Sequence, residues 1–296
     1  MTTPSLAAPD LHDSAPAAPW RLYLDHERAI LGTIVVVLFL LFWEGLERGW
    51  WTEALRPLIG ESAERWTVRP IFISSPTRIA QAAWRMFFVT GEMWTDLAWS
   101  ALTYAIGLGL AIMIGVPFGL AAGWYRKFSY AVEPFLAGLN ATPQIAFLPL
   151  IIVWVGTGLA AKVLIIFLLA VIPIAMSAQA AVRTTDARFV TMAKSFSAGE
   201  RQLFRSIILP SAVPYLLAGL RLAIGRAMIG IVVGEIYGSA AGVGAMINQA
   251  GSRFQTDKVF VGVLTIVAAG MALSEIVRRI EARVEIWRPS VTAGNG

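Results

Sequence analysis

Charge is nearly absent from the middle of this chain, and that restricts its fold more than any motif does. Between Ala98 and Val182 the only charged side chains are Arg126, Lys127, Glu133 and Lys162. Soluble domains usually carry about 25% charged residues. This chain carries 15%, with 57% hydrophobic residues and a mean hydropathy of +0.66. Such a composition cannot cover a surface that faces water. It predicts an all-α integral membrane protein, because helices satisfy every backbone hydrogen bond within lipid.

A transmembrane helix needs about 20 mainly apolar residues. Six stretches approach or exceed that length: Ala29–Leu46, Ala98–Gly123, Phe135–Val155, Val163–Val182, Ser211–Ile236 and Lys258–Val277. The third and fourth are free of charge, whereas the fifth holds Arg221, Arg226 and Glu235. About six transmembrane helices place both termini on one side. The chain then divides into a disordered tail over 1–28, a first transmembrane helix over 29–46 and an external segment over 47–94. A core domain follows over 95–283, with a polar loop over 183–209, and a second tail over 284–296. The first apolar run begins well inside the chain, after Asp25-His26-Glu27-Arg28, which favours an uncleaved helix over a signal peptide.

Orientation follows from the basic residues. Arg126 and Lys127, the loop residues Arg183, Arg188, Lys194, Arg201 and Arg205, and the tail residues Arg278, Arg279, Arg283 and Arg288 all fall on one side. The positive-inside rule makes that side cytoplasmic. Both termini are then cytoplasmic, although the external segment holds Arg48, Arg56, Arg65, Arg69, Arg78 and Arg85, against the rule. Within that segment Ser75-Pro76-Thr77 marks a helix start. Ile79, Ala82, Ala83, Met86 and Phe87 follow at helical spacing, as in an interfacial helix. The net charge of +5 reflects orientation and anionic headgroups rather than nucleic-acid affinity.

The polar loop from Ala181 to Pro210 is patterned. Phe189, Met192, Ala193 and Phe196, then Leu203, Phe204, Ile207 and Ile208, recur at helical spacing on either side of Ser197-Ala198-Gly199. Two short amphipathic helices joined by a small-residue turn fit this pattern. Their apolar face either meets a partner or lies on the chain's own bundle and the bilayer surface.

Other features leave alternatives open. Gly115, Gly119 and Gly123, with Gly107 and Gly109 upstream, allow close helix approach, either within one bundle or at a dimer seam. Pro143, Pro149, Pro173, Pro210 and Pro214 interrupt the apolar runs, with Asn140, Thr142 and Gln144 beside the first break. These polar residues would line a pathway or simply cap helix ends. Arg221 and Arg226 lie about 16 and 24 Å beyond Pro210. That puts Arg221 near the bilayer midplane, where it meets an anionic solute or pairs with Glu235, Glu275 or backbone carbonyls. The chain has no cysteine, which excludes disulfides and thiolate metal sites, and its two histidines, His12 and His26, lie near the N-terminus, which argues against a His-based one. None of the lysines (Lys127, Lys162, Lys194, Lys258) follows a glycine, so the chain has no phosphate-binding P-loop.

The loop resembles the signature of inner-membrane permeases of bacterial ABC importers. That pattern is Glu-Ala-Ala, three residues, Gly, nine residues, Ile, one residue, Leu-Pro. It falls here on Thr191-Met192-Ala193, Ser197, Ile207 and Leu209-Pro210. The spacing is kept, and Ala193, Ile207, Leu209 and Pro210 match, whereas Thr191, Met192 and Ser197 depart from it. The resemblance covers roughly residues 70–285. Thr142-Pro143-Gln144-Ile145-Ala146-Phe147-Leu148-Pro149-Leu150, Trp154-Val155-Gly156-Thr157-Gly158, Ala218-Gly219-Leu220-Arg221 and Gly234-Glu235 look like the nitrate/sulfonate/taurine/bicarbonate subgroup. Related permeases serve thiamine-precursor, riboflavin and aromatic-acid uptake.

The resemblance implies a type I ABC importer permease fold in the bacterial inner membrane. The implied partners are a cytoplasmic ABC ATPase dimer, a second permease subunit as in a homodimer, a periplasmic or lipid-anchored solute-binding protein, and membrane lipids. It implies no cofactor in this chain and no catalysis by it, since ATP and Mg belong to the partner ATPase. The implied ATPase-coupling residues are Thr191, Met192, Ala193, Lys194, Phe196, Ser197, Ala198, Gly199 and Leu203. The expected translocation path takes in Asn140, Thr142, Gln144, Arg221, Arg226 and Glu235. A stand-alone secondary transporter or channel would show repeat symmetry and midplane acids. A membrane enzyme would need an acid, base or metal cluster that these residues do not assemble.

Overall fold

The computed structural model describes residues 19–50, 57, 73–238 and 241–284. The expected tails therefore lie outside the described residues over 1–18 and 285–296, as does most of the expected external segment. Every regular element among the described residues is helical. Contacts divide the chain into two units, Met1–Thr77 and Arg78–Gly296.

In the first unit, α1 runs over Pro19–Arg48. It begins before Ala29, so residues 19–28 belong to the helix and not to a tail. Residues 31–42 are exposed apolar positions apart from the small residues Gly32 and Thr33, a surface suited to lipid. The buried Glu44 carboxylate accepts the Thr77 amide (3.1 Å), the Thr77 hydroxyl (2.5 Å) and the Arg48 Nε–H (2.6 Å). It thereby satisfies an amide in the first turn of α2, Pro76–Trp84.

The second unit is the bundle. After α2 and a π-helical turn over Arg85–Val89 come α3, Glu92–Trp124, and α4, Arg126–Ala141. A 3-10 turn, Gln144–Phe147, leads to α5, Leu148–Val155, and then to α6, Leu159–Arg183. The loop helix α7 spans Ala187–Ser195. A single turn α8, Glu200–Leu203, passes through a π-helical turn at Phe204–Ile208 into α9, Leu209–Gly238. The unit closes with α10, Val243–Ser252, and α11, Thr256–Val284.

Five helices among the described residues are long and apolar enough to cross a membrane, or six if one bent pair counts as a span. That pair, Arg126–Ala141 with Gln144–Val155, bends by 92°, so the expected straight span Phe135–Val155 is broken. The cause is Pro143, which has no amide to donate and forces Thr142 out of helical geometry, to φ −80° and ψ 138°. The expected fourth span starts earlier, at Leu159, after Gly156 (φ 75°) and Gly158 (φ 136°) turn the chain. The expected fifth span is longer still, a continuous run over Glu200–Tyr237.

Helix α6 lies at the centre. Its apolar window is 56% buried, against 11% for α11. Glycines let its neighbours approach. A Cβ on Gly107 would fall 2.6 Å from Ile166 Cγ2, and one on Gly115 3.1 Å from Ile174 Cγ2. One on Gly123 would fall 2.6 Å from Val182 Cβ, and one on Gly119 would collide with the Ala175 carbonyl oxygen. Gly107, Gly115, Gly119 and Gly123 thus form a seam inside the bundle, where α6 packs directly on the α3 backbone, whereas a Cβ on Gly109 would meet nothing within 4 Å. On the opposite side, a Cβ on Gly230 of α9 would stand 3.1 Å from Ile166 Cα. Ile165, Ile166, Ala170, Ala223 and Ala227 fill the space between.

Candidate functional site

The loop forms one projecting helix rather than two. Asp186 starts α7 by accepting the Arg188 amide (2.8 Å) through Oδ1, the usual way to satisfy an open amide at a helix start. The end is a six-to-one closure: the Ala198 amide donates to Ala193 O (3.0 Å) and the Ser197 amide to Lys194 O (2.9 Å). Such a closure needs a left-handed residue at its centre, usually glycine. Here Ser197 takes that position at φ 57°. Ser197 is also where the permease signature has its glycine, so the signature position has a backbone reason.

No residue of α7 is buried. Val190 rests on a cluster of Leu120, Ala178, Ala181, Val182, Ile208 and Ala212. Phe189 and Met192, each 53% exposed, and Phe196, 83% exposed, point away from it. Thr191, Lys194, Ser197 and Gly199 are exposed beside them, while Ala193 and Ala198 are half-buried. Leu203 stands apart as a correction. It is 4% exposed, since its turn begins the long α9 run and faces the bundle. Phe204 stacks edge-on against Trp124, with centroids 5.3 Å apart. The second expected amphipathic helix is therefore the buried root of a span. The π-helical turn there precedes Pro210, whose ring would clash with the Ser206 carbonyl in a regular helix.

The expected pathway residues separate into four groups. Asn140 and Arg226 come together, with Arg226 Nη1 donating to Asn140 Oδ1 at 3.0 Å. Arg221 instead forms an ion pair with Glu281 of α11. Neither Glu235 nor Glu275 takes that role, and Glu275 pairs with Arg278 (2.7 Å) and Arg279 (2.8 Å). Thr142 and Gln144 brace the bend: the Thr142 hydroxyl donates to Gly138 O (2.8 Å), and the buried Gln144 donates to Leu139 O (3.1 Å).

Glu235 is 1% exposed and serves the fold. Its carboxylate accepts the Ser100 hydroxyl (2.7 Å) and the Gly244 amide (2.8 Å). Asp96 accepts the Gly242 amide (3.0 Å), and Ser100 accepts the Val243 amide (2.9 Å). Side chains from α3 and α9 thus satisfy three successive amides at the start of α10. The buried Lys162 adds an attractive charge to Glu235. None of Asp96, Ser100 or Lys162 is marked by spacing in the sequence. Beside this junction a polar cleft of about 460 Å³ opens, lined among others by Glu92, Asp96, Asn248, Arg253 and Lys258. Among the described residues no group of three or more His, Cys, Asp or Glu side chains is gathered for a metal.

This arrangement has relatives. Residues 115–286 match the family described as binding-protein-dependent transport system inner membrane component. The chain is 29% identical over 277 residues to the taurine transport system permease protein TauC of Escherichia coli (strain K12), covering 92% of this chain and 94% of that one. It is 34% identical over 202 residues to a permease protein of Bacillus subtilis (strain 168), SsuC, whose name assigns it to aliphatic sulfonates transport; the match covers 68% and 73% of the two chains. In fold it is similar to a chain from the crystal structure of an amino acid ABC transporter with histidines, at a TM-score of 0.54 and 16% identity, covering 68% of this chain and 96% of that one. The family match takes in the seam glycines from Gly115 onward, the projecting loop and Arg226 together, and the chain belongs to the binding-protein-dependent transport system inner membrane component family, the multi-pass permeases of ABC transporters.

Proposed function

We propose that this chain is the pathway-forming subunit of an importer for a small anionic solute of the sulfonate class, taurine included. A separate ATPase dimer holds ATP and Mg, and this chain is not itself catalytic. Both termini and α7 are cytoplasmic. A second copy of the chain completes the pathway, and a solute-binding protein delivers cargo at the opposite end, where the polar cleft beside Asp96 and Lys258 opens.

One observation carries the coupling role: α7 keeps no residue buried, yet presents Phe189, Met192 and Phe196 on one face. An apolar, unburied face of this kind is a helix-in-groove ligand awaiting its groove. The similarity to taurine and aliphatic sulfonate permeases supports the substrate class. Arg226 beside Asn140 suits a path for anions.

The test is capture of the ATPase in mild detergent. Wild-type protein is expected to co-elute with its ATPase, and Phe196→Asp to lose it while remaining monodisperse. Leu203→Asp is expected to fail earlier, at folding, because that side chain is internal. Capture unaffected by Phe196→Asp, or no wild-type capture, would move the coupling role away from α7.

A further inference from the structure

We propose that Arg226 is the group that reads negative charge on the transported solute. Asn140 holds its guanidinium until an oxyanion takes over that hydrogen bond. The inference rests on the pathway reading above and narrows it to one anion-binding side chain.

Depth comes first. In the continuous run Glu200–Tyr237, Arg226 lies about 17 Å from the Tyr237 end at 1.5 Å per residue. With the Tyr237 end at the membrane boundary, that is about half-way through a hydrocarbon core of about 30 Å. A charge at that depth is costly unless it faces an aqueous path or a partner charge.

The structure then separates this charge from the others in the bundle. Arg221 is neutralised by Glu281. Glu235 is enclosed by a hydroxyl and an amide, with Lys162 nearby. Arg226 meets a neutral amide oxygen, and among the described residues no carboxylate lies within 4.0 Å of it. Its positive charge is therefore held in place but not compensated.

Position completes the case. Arg226 flanks the outward stripe of α9 formed by Ala218, Leu222, Gly225 and Ile229, all exposed. This chain places nothing within 4 Å of a Cβ on Gly225. Asn140 comes from a different helix, at the end of α4 next to the 92° bend. An ionised acceptor forms a hydrogen bond roughly twice as strong as a neutral one. A sulfonate oxygen thus displaces Asn140 Oδ1, and a cation or neutral solute does not.

The chain lacks cysteine, so Gly225→Cys supplies a single reactive probe beside Arg226. The assembled transporter in membrane vesicles is labelled with two thiol reagents, 2-sulfonatoethyl methanethiosulfonate and its trimethylammonium counterpart. Rates are normalised to those with a free thiol. The sulfonate reagent is expected to win by about tenfold, the low end of what a focused charge gives. The ratio should fall to near one in Gly225→Cys/Arg226→Gln and survive in Gly225→Cys/Arg226→Lys. Ethanesulfonate should slow labelling by the anionic reagent. The proposal is overturned if neither reagent labels the Gly225→Cys variant, or if the ratio ignores Arg226→Gln. Taurine uptake measured on the same vesicles keeps the two ideas apart. A charge-dependent ratio without uptake rejects the substrate class, and uptake with a flat ratio rejects Arg226.

Discussion

Replacing Ser197 by glycine is expected to strengthen the loop helix, against the usual direction of a glycine substitution. Ser197 sits at φ 57° in the closure of α7, where its amide and that of Ala198 bond back to Lys194 and Ala193. The left-handed conformation costs an L-residue about 1–2 kcal/mol. Glycine escapes that cost but loses more backbone freedom on ordering, about 0.5–1 kcal/mol. The net gain is about 0.5–1 kcal/mol, a change of about two- to fivefold in the opening equilibrium. Hydrogen exchange on peptides spanning 193–199 measures it, because the two closing amides exchange only when the turn opens. Slower exchange by that factor in Ser197→Gly, with unchanged exchange in the spans, supports the geometry. Equal or faster exchange would falsify the left-handed closure, since glycine then removes no strain and only adds freedom.

Three further outcomes follow from the packing. Gly119→Val is expected to cost about 1–3 kcal/mol or abolish folding, because its Cβ strikes the Ala175 carbonyl, whereas Gly109→Val, with nothing within 4 Å, should be tolerated; size-exclusion profiles and melting temperatures in detergent distinguish the two. Glu235→Ala strands the Ser100 hydroxyl and the Gly244 amide and should cost about 1–3 kcal/mol for each buried group left unpaired, with Glu235→Gln milder; equal melting points for wild type and Glu235→Ala would refute the capping role. Arg221→Glu and Glu281→Arg should each lower stability, and the double exchange should recover part of the loss; a double-mutant cycle with no coupling beyond about 0.5 kcal/mol would show that the pair is idle.

What the sequence reveals depends on how far each interaction reaches. The apolar runs are legible because lipid requires about 20 such residues in succession. The first half of the loop is legible because Phe189, Met192 and Phe196 repeat on one face with a small-residue stop after them. The second half is not. Leu203, Phe204, Ile207 and Ile208 show the same spacing whether their helix stops or runs on, and Pro210 gives a false boundary because a π-helical turn absorbs it. Pro143 announces a break but not its 92° angle, since Leu148 and Ile151 of α5 find their partners Ile165, Ile166 and Leu169 only in the folded cluster. The roles of Glu235 and Arg221 are hidden for another reason. Both read as pathway charges in isolation, yet their partners Ser100 and Glu281 lie 135 and 60 residues away. Only folding shows that one caps α10 and the other ties α9 to α11, which leaves Arg226, of the expected pathway charges, with no acid within 4.0 Å among the described residues.

The continuity of the helix from Glu200 to Tyr237 links the two halves of the proposed function. A force applied to α7 reaches Glu200 across the four residues from Phe196 to Gly199. Beyond that the backbone runs unbroken past Arg226, about 39 Å from Glu200 at 1.5 Å per residue. Two responses are physically distinct. A rigid rod carries displacement at its base to the Arg226–Asn140 contact, whereas a rod hinged at the π-helical turn Phe204–Ile208 dissipates it. The buried Leu203 and Ile208, and Phe204 stacked on Trp124, pin that turn to the bundle on both sides. That favours the rod. Spin labels at Arg201→Cys and Ile229→Cys, both exposed on this helix, stand about 42 Å apart along the axis. Their distance is expected to hold within about 2 Å, less than half a helical turn, when the assembled transporter moves from the nucleotide-free to the ATP-bound state. A shift larger than one turn, or a second distance population, would locate a hinge at 204–208 and require that coupling reach Arg226 by another route.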